Sequence, residues 1–219
     1  MIGIISAMEL ELKGLTRRLT DRKTETLAAV TYDTGKLEGK PVVICNCGVG
    51  KVNAAMHTQL LITKYRPDVI IQSGIAGSLS PKVKHFDLVI GEELVYHDMQ
   101  PFVLEQFEPL EKVYVSDARL VRLAEEAAGI CHVGRIASGD QFISDAGIKA
   151  DIAGRTGALC TEMEGCAVAH TAYLNEVPFL VMRAISDMAD DSAEGEFDEF
   201  QQKAADRAVD IVLKLVRKI

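Results

Sequence analysis

Four carboxylates, one arginine, one serine and one phenylalanine lie where apolar segments of this sequence end. They are Glu11, Phe142, Glu162, Glu164, Arg183, Ser186 and Asp187. In open α/β sheets ligands bind at the carboxyl ends of the strands, so we expect these side chains to surround one pocket. A pair of carboxyls in different environments, one protonated and one ionised, suits cleavage of a glycosidic bond. One acid protonates the leaving group, and the other carboxylate acts as a base on water.

Each carboxylate taken alone is better explained as a helix cap, a salt-bridge partner or a complement to a helix dipole. Glu9, next to a predicted strand end, receives that structural interpretation. His97 and Asp98 also receive it, because adjacent residues of a strand point to opposite faces. The recurrence of the other groups at several strand ends favours chemistry.

Strand and helix patterns alternate along most of the chain and predict the elements that position these groups. Strands are predicted over 2–6, 26–35, 41–47, 68–72, 86–90, 131–137, 158–161 and 178–185. Six helices are predicted in chain order: 7–19, 52–64, 117–128, one that begins at 146, one that ends at 174, and 197–218. We expect Ser116 or Asp117 to cap the third of these helices and Asp145 the fourth. The alternation predicts a single α/β domain over residues 1–219, with a central mixed sheet in a three-layer α/β/α arrangement.

The overall composition excludes several classes of function. The chain has 219 residues and a net charge of −8, and 48% of its residues are hydrophobic, as in a globular domain. The negative charge argues against a nucleic-acid partner or an anionic membrane surface. No apolar run reaches the length of about 18 residues that a membrane span needs. The first residues lack the basic segment of a signal peptide.

Cysteine usage and the glycine turns give weaker indications. Five cysteines, mostly in apolar runs, predict buried reduced thiols and a cytoplasmic protein. No spacing of His, Cys and carboxylates predicts a metal site, and no cofactor is expected. The segment 48–51 lacks both the P-loop spacing and the third glycine of a dinucleotide-binding motif. It supports only a tight turn that approaches a ligand.

The chain resembles the 5′-methylthioadenosine/S-adenosylhomocysteine nucleosidases, a family within the nucleoside phosphorylase superfamily. The resemblance extends over nearly the whole chain and rests on six segments in the family's order. They are GIISAMELE at 3–11, GVGKVNAA at 48–55, SGDQFI at 138–143, EME at 162–164, RAISD at 183–187 and FDEF at 197–200. The resemblance implies a nucleoside phosphorylase-like fold and a purine nucleoside as substrate.

The resemblance also implies catalytic roles. Asp187 would protonate N7 of the purine, so that adenine leaves as a neutral base, and Ser186 would orient its carboxyl. Glu11 would act as the general base on the attacking water, which Arg183 would help to hold. The expected reaction is hydrolysis of 5′-methylthioadenosine, S-adenosylhomocysteine or 5′-deoxyadenosine through an oxocarbenium-like transition state.

Binding roles follow from the same resemblance. Glu164 and the Met163 backbone would bind the ribose hydroxyls, Phe142 would stack on the base, and the Ile143 backbone would contact its Watson–Crick edge. The apolar 5′ pocket would be lined by Met8, Val49 and Phe197. We also place Ile75, Gly77 and Glu162 among the residues that bind the substrate.

Hydrolysis and phosphorolysis are separated by the group that faces the nucleophile. Related phosphorylases hold phosphate with arginines near the first strand and the second glycine turn. Here the first position offers Glu11, and the turn 72–74 offers no arginine. We therefore expect hydrolysis. A futalosine-type hydrolase, a phosphorylase and a non-catalytic nucleoside-binding protein are the alternatives.

Two departures from the family pattern concern the water and the 5′ pocket. Ile75 stands where many nucleosidases have a serine that helps to bind the water. Residues 99–112 do not match the aromatic-rich arm by which a neighbouring subunit closes the 5′ pocket in the family. We expect a homodimer in which residues 97–110 lie near the partner's site, with Phe102, Leu104 or Phe107 in place of the arm's aromatic residues.

Overall fold

The computed structural model describes all 219 residues and contains ten strands and seven helices. The strands are β1 (Ile2–Ser6), β2 (Thr20–Leu27), β3 (Val30–Leu37), β4 (Lys40–Asn46), β5 (Val69–Ser78), β6 (Leu88–Tyr96), β7 (Tyr114–Val115), β8 (His132–Ser138), β9 (Cys160–Glu162) and β10 (Phe179–Asp187). The helices are α1 (Glu9–Thr16), α2 (Lys51–Tyr65), α3 (Pro101–Gln106), α4 (Ala118–Ala128), α5 (Ala146–Thr156), α6 (Gly165–Leu174) and α7 (Ala193–Lys218). No helix is both long and apolar enough to cross a membrane.

All ten strands belong to one mixed sheet, part of which closes on itself. β5 pairs in parallel with β1 and β10, and β10 continues through β6, β8 and β9 back to β5. The resulting ring of five strands is extended on the β1 side by β4, β3 and β2. β5 and β10 are buried along their whole length, as in strands covered on both faces, and neither alternates regularly between apolar and polar residues.

Two apolar layers cover the faces of the sheet. Side chains of α1, α4 and α7 form one buried cluster with the strands, and side chains of α2 and α6 form another on the other face. Helices on both faces of a central mixed sheet confirm the predicted α/β fold class.

Several predicted elements are confirmed, with shifted boundaries. Asp117 and Asp145 cap α4 and α5 by accepting bonds from backbone N–H groups of the first turn. The polar strand β2 was not predicted, because its burial pattern is almost entirely exposed and carries no apolar alternation. β5 and β10 run on through residues 73–78 and 186–187, which the sequence placed after the strands. The unassigned segment 93–116 contains the end of β6, the short helix α3 and β7.

Candidate active site

Every predicted site residue except Arg183 lines a single pocket. The residues are Met8, Glu11, Val49, Ile75, Gly77, Phe142, Ile143, Glu162, Met163, Glu164, Ser186, Asp187 and Phe197. They come from the carboxyl ends of β5, β9 and β10, from the segments that follow β1, β4, β8 and β9, and from the N-terminal part of α7. The expectation that these strand ends meet is therefore confirmed.

Glu11 is held by backbone donors from two strand ends. Its Oε2 accepts from the N–H groups of Ala7 (3.0 Å) and Met8 (2.9 Å), where the chain turns from β1 into α1. Its Oε1 accepts from Ile75 N–H of β5 (3.0 Å). Burial raises the pKa of Glu11, while Arg183 and the three N–H groups oppose that rise. The carboxylate is thus fixed in place and faces the pocket.

Arg183 lies behind the pocket wall and is 1% exposed. Its guanidinium donates to Glu162, and its Nη2 lies 3.8 Å from a carboxylate oxygen of Glu164. The resemblance implied contact with the attacking water. The structure instead gives Arg183 a supporting position, in which its charge compensates three buried carboxylates, those of Glu11, Glu162 and Glu164.

The two carboxylates of segment 162–164 differ in how many partners they have. Glu162 accepts from Ser138 Oγ through Oε1, and from Arg183, Glu164 N–H (3.0 Å) and Gly165 N–H (2.7 Å) through Oε2. These four bonds anchor Glu162 in the pocket wall, and its contact with substrate stays a prediction.

Glu164 accepts from Gly50 N–H (2.8 Å), which leaves acceptor capacity open to a ligand. Burial, followed by the neighbouring Glu162, raises the pKa of Glu164 to about 7. Its donor belongs to the glycine turn 48–51, in which Gly48 and Gly50 have φ of 84° and 97°. Lys51 holds this turn by bonding both carboxylate oxygens of Asp98 (2.6 and 2.7 Å). The turn therefore holds the Glu164 carboxylate at the pocket wall.

Asp187 reaches the pocket because β10 is irregular at its end. Successive strand residues normally point to opposite faces, yet Ser186 and Asp187 both line the pocket. The pairing with β5 shifts between Ile185 and Asp187, as in a β-bulge, and bulges redirect side chains. Ser186 Oγ donates to Asp187 Oδ2 (2.8 Å), and Ala189 N–H donates to Oδ1 (2.9 Å). Burial raises the pKa of Asp187, which these two donors partly oppose.

Aromatic and aliphatic side chains form the outer part of the pocket. Phe142 and Phe197 meet edge to face with their ring centroids 5.6 Å apart. Phe142 is 44% exposed and Val49 is 48% exposed, so this end of the pocket is open. The pocket therefore has a charged, buried floor and an apolar mouth.

The sequence and the fold match proteins of one family. Residues 1–217 match the Phosphorylase superfamily. The 5′-methylthioadenosine/S-adenosylhomocysteine nucleosidase of Bacillus licheniformis is 38% identical over an alignment of 228 residues, which covers 100% of this chain and 99% of the relative. This chain belongs to the 5′-methylthioadenosine/S-adenosylhomocysteine nucleosidase family.

Solved structures of the superfamily also match this chain over its whole length. The nucleosidase of Neisseria meningitidis, solved with methylthio-immucillin-A, has a TM-score of 0.96 and 33% identity and covers 100% of this chain and 99% of its own. The futalosine hydrolase of Helicobacter pylori has a TM-score of 0.95 and 29% identity, with coverage of 100% and 97%.

Four further residues line this nucleosidase-family pocket and were not predicted: Ala7, Ala76, Gln141 and Thr161. Thr161 Oγ1 is buried and has no hydrogen-bond partner within the protein, so it is free to meet a ligand. Gln141 and Thr161 each adjoin a predicted site residue, Phe142 and Glu162, which is the signal that could have found them. No group of three or more His, Cys, Asp or Glu side chains is arranged to hold a metal ion.

Proposed function

We propose that this chain hydrolyses the N-glycosidic bond of 5′-methylthioadenosine and S-adenosylhomocysteine, releasing adenine and the thioribose. Its curated relatives carry this activity in their name, and the family relation extends over the whole chain. The observation that carries the proposal is a buried carboxylate, Glu11, at one end of a pocket that has a second carboxyl, Asp187, at the other.

Glu11 and Asp187 lie beside different glycines of β5. A Cβ at Gly74 would lie 2.6 Å from Glu11 Oε1, and one at Gly77 would lie 2.6 Å from Asp187 Oδ1. The two carboxyls can therefore meet the substrate at different positions. In direct hydrolysis one acid protonates the leaving group while the other carboxylate activates a water.

Leaving-group protonation is the role proposed for Asp187. Its raised pKa keeps the proton available, and Ser186 Oγ orients the carboxyl. Glu11 is proposed as the base that deprotonates the water. Burial raises its pKa, which strengthens a base, while Arg183 and three backbone donors oppose that rise and favour the ionised form.

Sugar and base recognition are assigned to the remaining wall. Glu164 and the Met163 backbone bind the ribose hydroxyls, Phe142 stacks on the purine, and the Ile143 backbone meets its edge. Met8, Val49 and Phe197 contact the 5′ substituent, because they form the open apolar end. Because Gly77 has no side chain, the Asp187 carboxyl can lie close to the backbone of β5.

Phosphorolysis is disfavoured by the electrostatics of the floor. Arg183, the buried cation, is already engaged by Glu162, and Glu11 faces the position of the nucleophile. A carboxylate there repels phosphate but can activate water. The decisive experiment assays a panel of purine nucleosides for adenine release, with and without phosphate. Ribose 1-phosphate products would overturn the proposal, and release of adenine from none of them would favour a nucleoside-binding protein.

A futalosine-type substrate is the second candidate, because the futalosine hydrolase of Helicobacter pylori matches the fold as closely as the nucleosidases do. The open 5′ end can accept a larger substituent. Including futalosine in the panel ranks the two substrates by kcat/KM.

A homodimer is proposed from the distribution of exposed apolar side chains. Many lie on α2, on α6 and on the arm 97–110: Val52, Met56, Phe102, Phe107, Tyr173 and Leu174. Since α2 and α6 pack side by side, these residues form a surface that a second copy would cover. We expect Val52→Glu to give a monomer in analytical ultracentrifugation, with Ile130→Glu, an equally exposed residue outside this surface, as the dimeric control.

A cytoplasmic location is proposed from the five free thiols, four of them buried. Fractionation of cells that produce the protein tests it.

A further inference from the structure

The first turn of α7 is joined to the backbone that follows Asp187. Glu196 Oε2 accepts from Met188 N–H (2.9 Å), and the next residue, Phe197, lines the pocket. On its other side Met188 offers its carbonyl to Lys149 Nζ of α5 (2.5 Å). The backbone of Met188, the residue after Asp187, is therefore clamped by Glu196 of α7 and Lys149 of α5.

A second set of contacts fixes the same turn from outside. His85 Nε2 lies 3.1 Å from Glu196 Oε2, without an aligned hydrogen bond. The rings of His85 and Phe86 both meet Phe200 of α7 edge to face, at 5.0 and 5.5 Å. Phe86 has φ of 67°, a conformation that a bulky side chain rarely adopts. Such strain persists where the surroundings hold the residue in place.

We propose that Glu196 is a positioning residue of this site, which ties the seating of Phe197 over the pocket to the placement of the Asp187 carboxyl. Glu196 does not line the pocket and contacts the Asp187 segment through the Met188 N–H. Loss of the clamp frees the peptide next to the acid and the helical turn that carries Phe197. The catalytic part of this proposal rests on the proposed function; the clamp itself does not.

The position of Glu196 also places its charge near Asp187. The groups that face Asp187 are Ser186 on its own strand, Glu196 from α7 and His85 from the β5–β6 connection, with the Lys149–Asp190 pair beyond Met188. A carboxylate at position 196 favours the protonated form of a neighbouring acid, and an imidazolium at position 85 opposes it.

An acidic residue in the first turn of a helix can also act only on the helix dipole. Glu194 provides the matched control, because it lies in the same turn and is exposed. The experiment compares Glu196→Ala and Glu196→Gln with Glu194→Ala and Glu194→Gln. It measures kcat and KM for methylthioadenosine, the pH profile of kcat/KM, and hydrogen exchange of the Met188 amide.

We expect Glu196→Ala to lower kcat about tenfold and to speed Met188 exchange, the size expected for a lost hydrogen bond to a charged group. Glu196→Gln keeps an oxygen that can accept from Met188, so it restores slow exchange. Because it removes the charge, it shifts the alkaline limb of the profile to lower pH. Both Glu194 variants should match the wild type in every measurement.

Equal behaviour of the two positions would overturn the proposal, as would failure of Gln to restore slow exchange at Met188. A rise in exchange along the whole chain would show a general loss of stability and would also overturn it. The exchange measurement needs no substrate. If the wild type releases no adenine, the proposed function fails while the clamp is still decided.

Discussion

Glu11 and Asp187 are two buried carboxyls of one pocket, yet their surroundings differ. Glu11 accepts three backbone N–H bonds and lies near the buried Arg183. Asp187 accepts one hydroxyl and one N–H, and its charged neighbours include the acidic Glu196. Burial raises the pKa of both groups, but more donors and a cation favour the ionised form of Glu11.

This difference separates a base from an acid without any change of residue class. A group that must accept a proton needs donors aimed at its ionised form, and a group that must give one needs few. Each of the following experiments tests whether the two ends are as unlike as their contacts indicate.

Asp187→Asn should have the largest effect, a loss of about 10³-fold in kcat, because the amide has no proton to give to the purine. Asn can keep both contacts, since its oxygen accepts from Ala189 N–H and its NH2 donates to Ser186 Oγ. We therefore expect the variant to stay folded with an unchanged KM. Adenine release followed by chromatography, beside calorimetry, checks this; a near-normal rate would remove the acid assignment.

Glu11→Gln should lower kcat by about 10²-fold or more through loss of the base. Unlike Asn at 187, Gln must turn its NH2 toward at least one of the N–H donors of Ala7, Met8 or Ile75. The clash of donors costs about 1–3 kcal/mol of stability. Adenine binding measured by calorimetry is the control, since it should survive. If the variant keeps wild-type stability, the backbone donors do not hold Glu11 as described.

Gly74→Ala and Gly77→Ala should each disturb one end only. The new methyl group would lie 2.6 Å from Glu11 Oε1 in the first variant and 2.6 Å from Asp187 Oδ1 in the second. We expect losses of roughly 10- to 100-fold in kcat/KM, as for a catalytic group displaced by up to about 1 Å. The acidic limb of the pH profile should change in Gly74→Ala and the alkaline limb in Gly77→Ala.

The matched control is Gly154→Ala in α5, where a Cβ meets nothing within 4 Å. Its activity should stay at the wild-type level, with stability slightly increased. If the two active-site glycine variants shared one altered limb, the separation of the two ends would be wrong.

The Asp187 carboxyl should make the free energy of unfolding depend on pH. Its pKa is raised in the folded protein, so between the unfolded value and the raised one the folded state binds more protons. Stability from this group therefore falls as pH rises through that window. Asp190 has a lowered pKa, chiefly through its bond with Ser192, and its contribution is lost as pH falls.

The measurement compares melting temperatures from about pH 4 to 8. Relative to Asp187→Asn, the wild type should lose stability as pH rises; relative to Asp190→Asn, it should gain. The same sign for both would contradict the assigned environments.

The sequence predicted much of the fold and the identity of the site residues, because apolar strands that end in polar groups are visible in it. Asp187, Glu11 and Glu164 were found from such strand ends and from the family segments. The closed ring of strands was not predicted, since the pairing of β9 with β5 involves only two residue pairs far apart in the chain.

Roles that depend on geometry were also beyond the sequence. Arg183 was expected at the attacking water, but it lies behind the pocket wall and bonds to Glu162, which lines the pocket. The bulge that directs both Ser186 and Asp187 into the pocket leaves no pattern in residue types. Glu196 and His85 come together from positions more than a hundred residues apart, so their contact could not be read from spacing.

Ile75→Ser should have the smallest catalytic effect and tests the base end most finely. The Ile75 N–H holds Glu11, and this bond does not depend on the side chain. The side chain packs with Ala184, Ala204 and Ala208 and borders the pocket. We expect kcat to change less than about threefold, while the lost packing costs about 2–5 kcal/mol. A Ser that raised kcat by more than tenfold would show that a side-chain hydroxyl, and not only the Glu11 carboxylate, is needed to place the water.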